Sequence, residues 1–334
     1  MAPRNQGRGA GLRWLLCGIL LGAGCGREPP REGASQAARR DEYTVLSWNL
    51  DGYGLRPEYG SGPQGALKPP AARTAIIEVL RALNADIVLL QEIEAGTAWE
   101  QLTADLRAAG LTYATQVHVP SRSAVGGLAL LSRFGLVRHQ AFTNETYSMG
   151  GETVPMAHAF LEADLQLAPN YLLRVINAQL RGRVFHPLNQ TDMRRNEGRL
   201  LNNKVRAALN DYPERNLLVA GSLADNPHSS SVREVAARRG RLLEDLRPQD
   251  GDGAAWTVYQ AEDDSYARHD YLLASRGLVP EVVTNKTRIP YHPALATASR
   301  HRPLLLVGKK QNLAPPIALP DLEALESDPD DDES

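Results

Sequence analysis

Residues 217–227 read Leu-Leu-Val-Ala-Gly-Ser-Leu-Ala-Asp-Asn-Pro. The apolar run 217–220 is short, unbroken and bounded by Gly221, the pattern of a strand buried on both faces in an α/β protein. Such a strand hands its last residues to a turn at the end of the sheet, where α/β proteins gather their reactive groups. The groups delivered here are Ser222 and Ala224. A serine hydroxyl accepts no proton near neutral pH, and a methyl donates no hydrogen bond. The strand predicts a site at its end, with a hydroxyl and a methyl among the groups it presents there.

Outward from this strand, helices and strands alternate. Residues 43–50 read as a strand, 71–83 as a helix with Ile76, Ile77, Leu80 and Leu83 on one face, and 85–92 as a second buried strand. A helix over 99–109 precedes strands at 113–119, 127–132, 137–143, 156–166 and 171–180. A long helix at 192–210 leads into the opening strand; a helix at 231–239 and strands at 256–260, 271–274 and 303–307 follow it. One α/β sandwich over residues 42–310 accounts for this order better than two domains. The segment 54–70, with four prolines, reads as a long surface loop.

At 334 residues, 43% of them hydrophobic, the chain can build a sizeable core. Residues 1–24 differ from the rest. Arg4, Arg8 and Arg13 precede the apolar run 14–21, which is too short to span a bilayer and is arranged as a secretory signal. The segment ends Leu20-Leu21-Gly22-Ala23-Gly24-Cys25. This resembles a bacterial lipoprotein box, in which the cysteine is lipidated and becomes the mature N-terminus. Gly22 stands where a branched aliphatic is usual, so a plain cleaved signal peptide is the alternative. The expected product is an exported monomer of the bacterial cell envelope, periplasmic or on the cell surface, tethered to the membrane through lipid on Cys25 and a flexible segment 25–41. Its body has no cysteine for a disulfide, a thiolate nucleophile or a thiolate–metal site. Loss of residues 1–24 removes three arginines and no acid, taking the formal charge from −2 to −5 and excluding a general attraction to nucleic acid. The end of the chain, 311–334, is expected to be an acidic disordered tail.

Several stretches, in order, carry chemistry. They are Leu46-Ser47-Trp48-Asn49-Leu50-Asp51-Gly52, Ala85-Asp86-Ile87-Val88-Leu89-Leu90-Gln91-Glu92-Ile93, the glycine-entered strand 126–133, Val175-Ile176-Asn177-Ala178-Gln179-Leu180, the opening stretch, Arg268-His269-Asp270-Tyr271-Leu272-Leu273 and Ser299-Arg300-His301-Arg302-Pro303. Together they resemble the endonuclease/exonuclease/phosphatase superfamily, whose deoxyribonuclease I-like fold is shared by abasic-site nucleases, neutral sphingomyelinases and inositol polyphosphate phosphatases. The resemblance implies a sandwich of two mixed β-sheets flanked by helices and a phosphoesterase chemistry that uses Mg2+ or Mn2+. It implies that Asn49 orients the phosphate and that Asp51 is the acid of the nuclease-like branch. Glu92 would be the principal metal ligand, with Asp51 beside it; a hard cation suits such oxygen ligands. Asn177 belongs to an Asn-x-His motif, and Asp270 would support His301, which acts on the phosphate.

Four positions depart from that pattern. Gln179 replaces a phosphate-binding histidine, and Ser222 replaces the aspartate that positions or deprotonates water. Ala224 replaces an asparagine that stabilises the transition state, and Arg300 replaces an aspartate that ligates metal. Losing one such group costs about 10² to 10⁴ in rate. An acid exchanged for a guanidinium leaves Glu92 and Asp51 in want of a cation. Arg300 is expected to supply it by two-pronged pairing, the alternative being that it turns to solvent above an empty acidic pocket.

Two functions compete on these residues. The first is a catalytically impaired binding module, without a metal cofactor, that grips a phosphate-bearing ligand or a protein through Asn49, Arg300 and His301. The second is an active divalent-metal phosphoesterase in which Asp51, Glu92 and Asp225 hold one ion. A nuclease is disfavoured, because Arg194, Arg195, Arg199, Lys204 and Arg206 on the long helix are flanked by Asp192, Glu197 and Asp211 and read as a solvated face.

Overall fold

Strands that are apolar at nearly every position need cover on both faces. This chain supplies it by stacking two sheets and placing helices outside them. The computed structural model describes residues 40–312 apart from 61–64, 123–125, 211, 237–241 and 262. The signal segment, Cys25, nearly all of the tether and the acidic tail lie outside the described residues.

In chain order, β1 (Glu42–Tyr53) is followed by the small hairpin β2 (Leu55–Arg56) and β3 (Ala66–Leu67), helix α1 (Pro70–Leu83) and β4 (Ile87–Ile93). Helix α2 (Thr97–Ala108), β5 (Thr115–Val119), β6 (Gly127–Ser132) and β7 (Gly135–Phe142) come next. A hairpin of β8 (Thr146–Met149) and β9 (Glu152–Pro155) precedes β10 (Phe160–Ala168) and β11 (Tyr171–Gln179). Helix α3 (Gln190–Asn210) leads to β12 (Leu217–Ser222), α4 (Ser230–Val235) and β13 (Leu243–Asp245). The hairpin β14 (Val258–Gln260) and β15 (Ser265–Ala267), then β16 (Asp270–Ser275), α5 (Leu295–Ala298) and β17 (Leu304–Lys309) complete the domain.

One sheet has the order β17-β1-β4-β6-β5 and the other β13-β16-β12-β11-β10-β7. Both are mixed: β1 runs parallel to β4 and β11 parallel to β12, and the remaining pairs within them are antiparallel. The inner core packs Val45, Leu89 and Leu130 of the first sheet against Leu161, Val175 and Leu272 of the second. Outside the first sheet, Ile76, Val79 and Leu80 of α1 and Leu102 and Leu106 of α2 cover Leu46, Val88 and Leu90. Outside the second, Leu201, Val205 and Leu209 of α3 cover Ile176 and Val219. The expected sandwich of two mixed sheets flanked by helices is what the chain forms.

This topology decides where the site lies. Each parallel pair is joined through a helix, so β1, β4, β11 and β12 all end at one edge of the sandwich. Their antiparallel neighbours β16 and β17 begin there. Asn49, Glu92, Gln179, Ser222, Asp270 and His301, spread over more than 250 residues of sequence, are thereby carried to one edge. Gly221 allows β12 to close on β11: its φ is 139°, and an added Cβ would lie 1.9 Å from the Ala178 carbonyl oxygen.

The sequence reading placed the main elements within a few residues but missed the short ones. The strand expected over 156–166 begins only at Phe160, because the hairpin β8–β9 closes with Met156 N donating to the Glu145 carbonyl. The segment 54–70 is not a plain surface loop. Its described residues pair as β2 with β3, and Lys68 among them is buried.

Candidate functional site

The two ladders flanking the site edge are interrupted just where the chemistry begins. The pairing of β1 with β4 shifts register between Asn49 and Tyr53, and that of β4 with β6 shifts between Gln91 and Ile93. Such irregularities re-aim side chains. Asp51 and Glu92 sit on them with left-handed φ values of 52° and 63°. A non-glycine residue in that region costs about 1 to 3 kcal/mol, strain that is met mainly at functional sites.

Asn49, buried, joins the two acids. Its Oδ1 accepts from Asp51 N at 2.8 Å, and its Nδ2 donates to Glu92 Oε1 at 2.9 Å and to Ser222 Oγ at 3.0 Å. Gln179 Nε2 donates to the same Glu92 oxygen at 2.9 Å. Ser222 donates its hydroxyl to Asp270 Oδ1, and Asp270 Oδ2 meets His301 Nδ1 at 2.8 Å. A hydrogen-bonded chain thus crosses from one sheet to the other through Glu92, Asn49, Ser222, Asp270 and His301. Ser299 fixes its far end, donating to the Asn49 carbonyl at 2.8 Å and accepting from His301 N at 3.0 Å. Burial by itself would raise the Asp270 carboxyl and lower the His301 imidazole. Their mutual attraction outweighs it, so Asp270 lies below and His301 above its ordinary value, with Glu92 and Asp51 adding to the histidine's shift.

Arg300 forms the expected ion pair. Its Nε and Nη2 donate to Asp51 Oδ2 and Oδ1 at 2.9 and 2.7 Å, while its side chain stays 57% exposed. A second cation arrives that sequence reading did not anticipate. Lys68, only 5% exposed, donates from Nζ to the Asp51 carbonyl at 2.9 Å. The Tyr59 hydroxyl donates to that carbonyl at 3.3 Å, and the ammonium lies 5.7 Å from the centre of the Tyr59 ring. Burial pushes the Asp51 carboxyl up, but Arg300, helped by Lys68 and His301, outweighs it and holds the group below its ordinary value. Burial pulls the Lys68 ammonium down, with Arg300 and Arg56 adding to the effect and Asp51 and Glu92 opposing it. The signal in the sequence was slight: a lysine in a proline-rich segment just before a helix.

A divalent ion does not fit this donor set. Mg2+ and Mn2+ need several oxygen ligands around one point. Both Asp51 oxygens accept from Arg300, one Glu92 oxygen accepts from two amides, and position 300 is itself cationic. Among the described residues, no three His, Cys, Asp or Glu side chains cluster as a group able to hold a metal.

Three expectations are corrected. Asp225 is no candidate metal ligand: Arg183 Nη2 donates to its Oδ1 at 2.9 Å, and Arg194 Nε and Ser231 Oγ donate to its Oδ2 at 3.0 and 2.9 Å. Arg194 is not on a solvated face, since it is 2% exposed. The other cations of α3 are engaged within the chain, Arg195 and Arg199 with Glu234 and Lys204 with Glu145. Asn177 stays out of the pocket, fully buried between the sheets: its Nδ2 donates to the Leu90 and Ala129 carbonyls at 3.0 Å, and its Oδ1 accepts from Gln91 Nε2 at 2.8 Å. Ala224 keeps a left-handed φ of 54°, a conformation asparagine tolerates better than alanine.

Two face-to-face mixed sheets, outer helices and a polar edge at the ends of the parallel strands define a deoxyribonuclease I-like α/β fold. Residues 46–301 match the Endonuclease/Exonuclease/phosphatase family, and the chain belongs to that family. No curated protein matches the sequence. Among solved structures, the human Nocturnin catalytic domain is 18% identical with a TM-score of 0.56, covering 80% of this chain and 94% of its own. An endonuclease/exonuclease/phosphatase from Bacteroides vulgatus is 15% identical with a TM-score of 0.56, covering 81% of this chain and 100% of its own. Sphingomyelinase C from Streptomyces griseocarneus is 16% identical with a TM-score of 0.54, again covering 81% and 100%. Likeness at this level of identity concerns the fold.

Proposed function

We propose that this chain is an exported, lipid-anchored member of the family that no longer hydrolyses phosphoesters and uses its former catalytic edge to bind a phosphate-bearing ligand. The observation that carries the reading is the two-pronged pair of Arg300 with Asp51. It sets a guanidinium on the acid that would otherwise help hold a divalent ion. Hydrolysis also needs a base for water and a donor for the developing charge. Ser222 commits its hydroxyl to Asp270 and is no base near neutral pH, and Ala224 has nothing to donate. The groups that remain, Arg300, Lys68 and His301, favour an oxyanion. Export and anchoring rest on the signal-like residues 1–24 and on Cys25.

The test is hydrolysis of a chromogenic phosphodiester with Mg2+ or Mn2+, read beside binding of inorganic phosphate by calorimetry in EDTA. The expected result is no turnover above a Glu92→Ala control and weak, metal-independent binding that Arg300→Ala abolishes. The retained Asp270–His301 pair favours a second reading, an active phosphoesterase with a remodelled metal site. Metal-dependent turnover that disappears in Glu92→Ala establishes that reading and overturns the first.

A further inference from the structure

We infer that Lys68 and Arg300 together replace the divalent metal: two fixed cations, one on the Asp51 carboxylate and one on the Asp51 carbonyl, occupy its place and hold the acidic pocket closed to metal. The inference rests on the reading that this edge binds phosphate without a metal ion, and it assigns to Lys68 a role that no motif of the chain announces.

The argument begins with the acids. Asp51 and Glu92 are aimed from strained positions, and Asn49 links the Asp51 backbone N–H, at 2.8 Å, to the Glu92 carboxylate, at 2.9 Å. Both carboxylates act on Lys68 and His301, and two acids facing one pocket favour positive charge fixed beside them. Arg300 neutralises one directly. Lys68 carries the second charge, and its burial shows what keeps it there. An ammonium 5% exposed is costly unless acids balance it. Its hydrogen-bond partner at 2.9 Å is a neutral carbonyl, and the charges that favour it are those of Asp51 and Glu92. Lysine and acids therefore depend on one another.

Lys68 is also built into its place rather than resting there. Its own N–H donates to the Gly54 carbonyl at 3.1 Å, Leu55 pairs with Leu67 across the β2–β3 hairpin, and α1 starts two residues later at Pro70. Leu55 N donates to Glu94 Oε2 at 2.7 Å, which ties the hairpin to the chain just past Glu92. The described residues of the excursion, 54–60 and 65–69, thus hold one ammonium at the acidic edge. Two monovalent cations supply the charge of one divalent ion, but they come with covalent stems that fill the space its water and oxygen ligands would need.

The test uses the wild-type protein, Arg300→Asp, Lys68→Met and the double variant, with Mg2+ alone as the probe, read by calorimetry and by melting temperature. Wild type is expected to bind no Mg2+ at millimolar concentration. The double variant should bind it about tenfold more tightly than Arg300→Asp, with a matching rise in melting temperature. Arg300→Asp binding as tightly as the double variant overturns the role of Lys68, and a folded double variant that binds no Mg2+ overturns the inference as a whole. Should the double variant fail to fold, Lys68→Met decides. About 10 mM Mg2+ should raise its melting temperature and leave wild type unmoved, and equal responses overturn the proposal. Wild-type protein that binds Mg2+ at this pocket overturns the inference, and only metal-dependent turnover of phosphodiester that disappears in Glu92→Ala overturns the proposed function as well, so the two failures are distinct.

Discussion

Asp225 and Asp51 each face one buried cation and one exposed one, but on Asp225 the buried one pairs with the carboxylate, whereas on Asp51 it reaches only the backbone carbonyl. Asp225 accepts from Arg194, whose side chain is 2% exposed, and from Arg183. Asp51 accepts from Arg300, whose side chain is 57% exposed, with Lys68 on its backbone carbonyl. Both carboxyls lie below their ordinary value: burial opposes this in each case, and the arginines win. The energetic meaning differs. Removing one partner of a buried pair strands the other charge in a medium that solvates it poorly, whereas water replaces the lost partner of an exposed pair. The Asp225 arrangement therefore serves the fold, holding α3 and the turn after β12 together, and the Asp51 arrangement serves the charge of the site.

The comparison is broken most readily at Arg194. Arg194→Met should destabilise the protein by about 3 kcal/mol, because the one cation left on Asp225 is the part-exposed Arg183, with Ser231 Oγ and Asn226 N as neutral donors. Urea unfolding monitored by circular dichroism measures it, and a loss below about 1 kcal/mol would show that the pair is not the lock it resembles.

Acid sharpens the comparison next. A carboxyl whose folded value is lowered contributes stability that is complete above the unfolded value of about 3.9 and is lost as pH falls through the folded value. The penalty of Arg194→Met should accordingly stay constant from pH 7 to about pH 4 and shrink only below that. Urea midpoints taken across this range test the sign. A penalty that disappears between pH 7 and 5 would implicate a different group.

The smallest effect is expected at Arg300. Arg300→Ala should cost less than about 1 kcal/mol of stability, and the cost should fade at about 0.5 M salt, where exposed pairs are screened. The Arg194→Met penalty should hardly respond to salt. If the two penalties prove equal and equally sensitive to salt, the distinction between a fold pair and a site pair fails.

Much of the fold and part of the site were legible in the sequence. Glu92 lies at the end of β4, Asp270 begins β16 and His301 lies three residues before β17; the strands are local signals, and the resemblance singled out the residues at their ends. Arg300 was legible through the resemblance, which sets it where the family pattern has an acid, and through charge, since a guanidinium beside two acids has a plain electrostatic use. Asn177 was misplaced because it shares a face of β11 with Gln179 but lies two residues deeper along the strand, where it meets the other sheet, and the motif does not tell how far from the strand end the pocket closes. Asp225 stood beside Ala224 in an exposed-looking turn, and its partners lie 31 and 42 residues away on α3 and in the segment before it.

The sequence by itself determined the order of the main strands and helices, the approximate residues that end them and the absence of an acid or base side chain at 222 and 224. These follow from side-chain type and short spacing, which act within a few residues. Only the tertiary structure decided that Lys68 enters the pocket, that Arg194 is buried on Asp225 and that Gln179 and Asn49 share one oxygen of Glu92. Which cation meets which acid depends on distances set by the register of strands and the return of a hairpin, and those distances join residues that the chain itself keeps far apart.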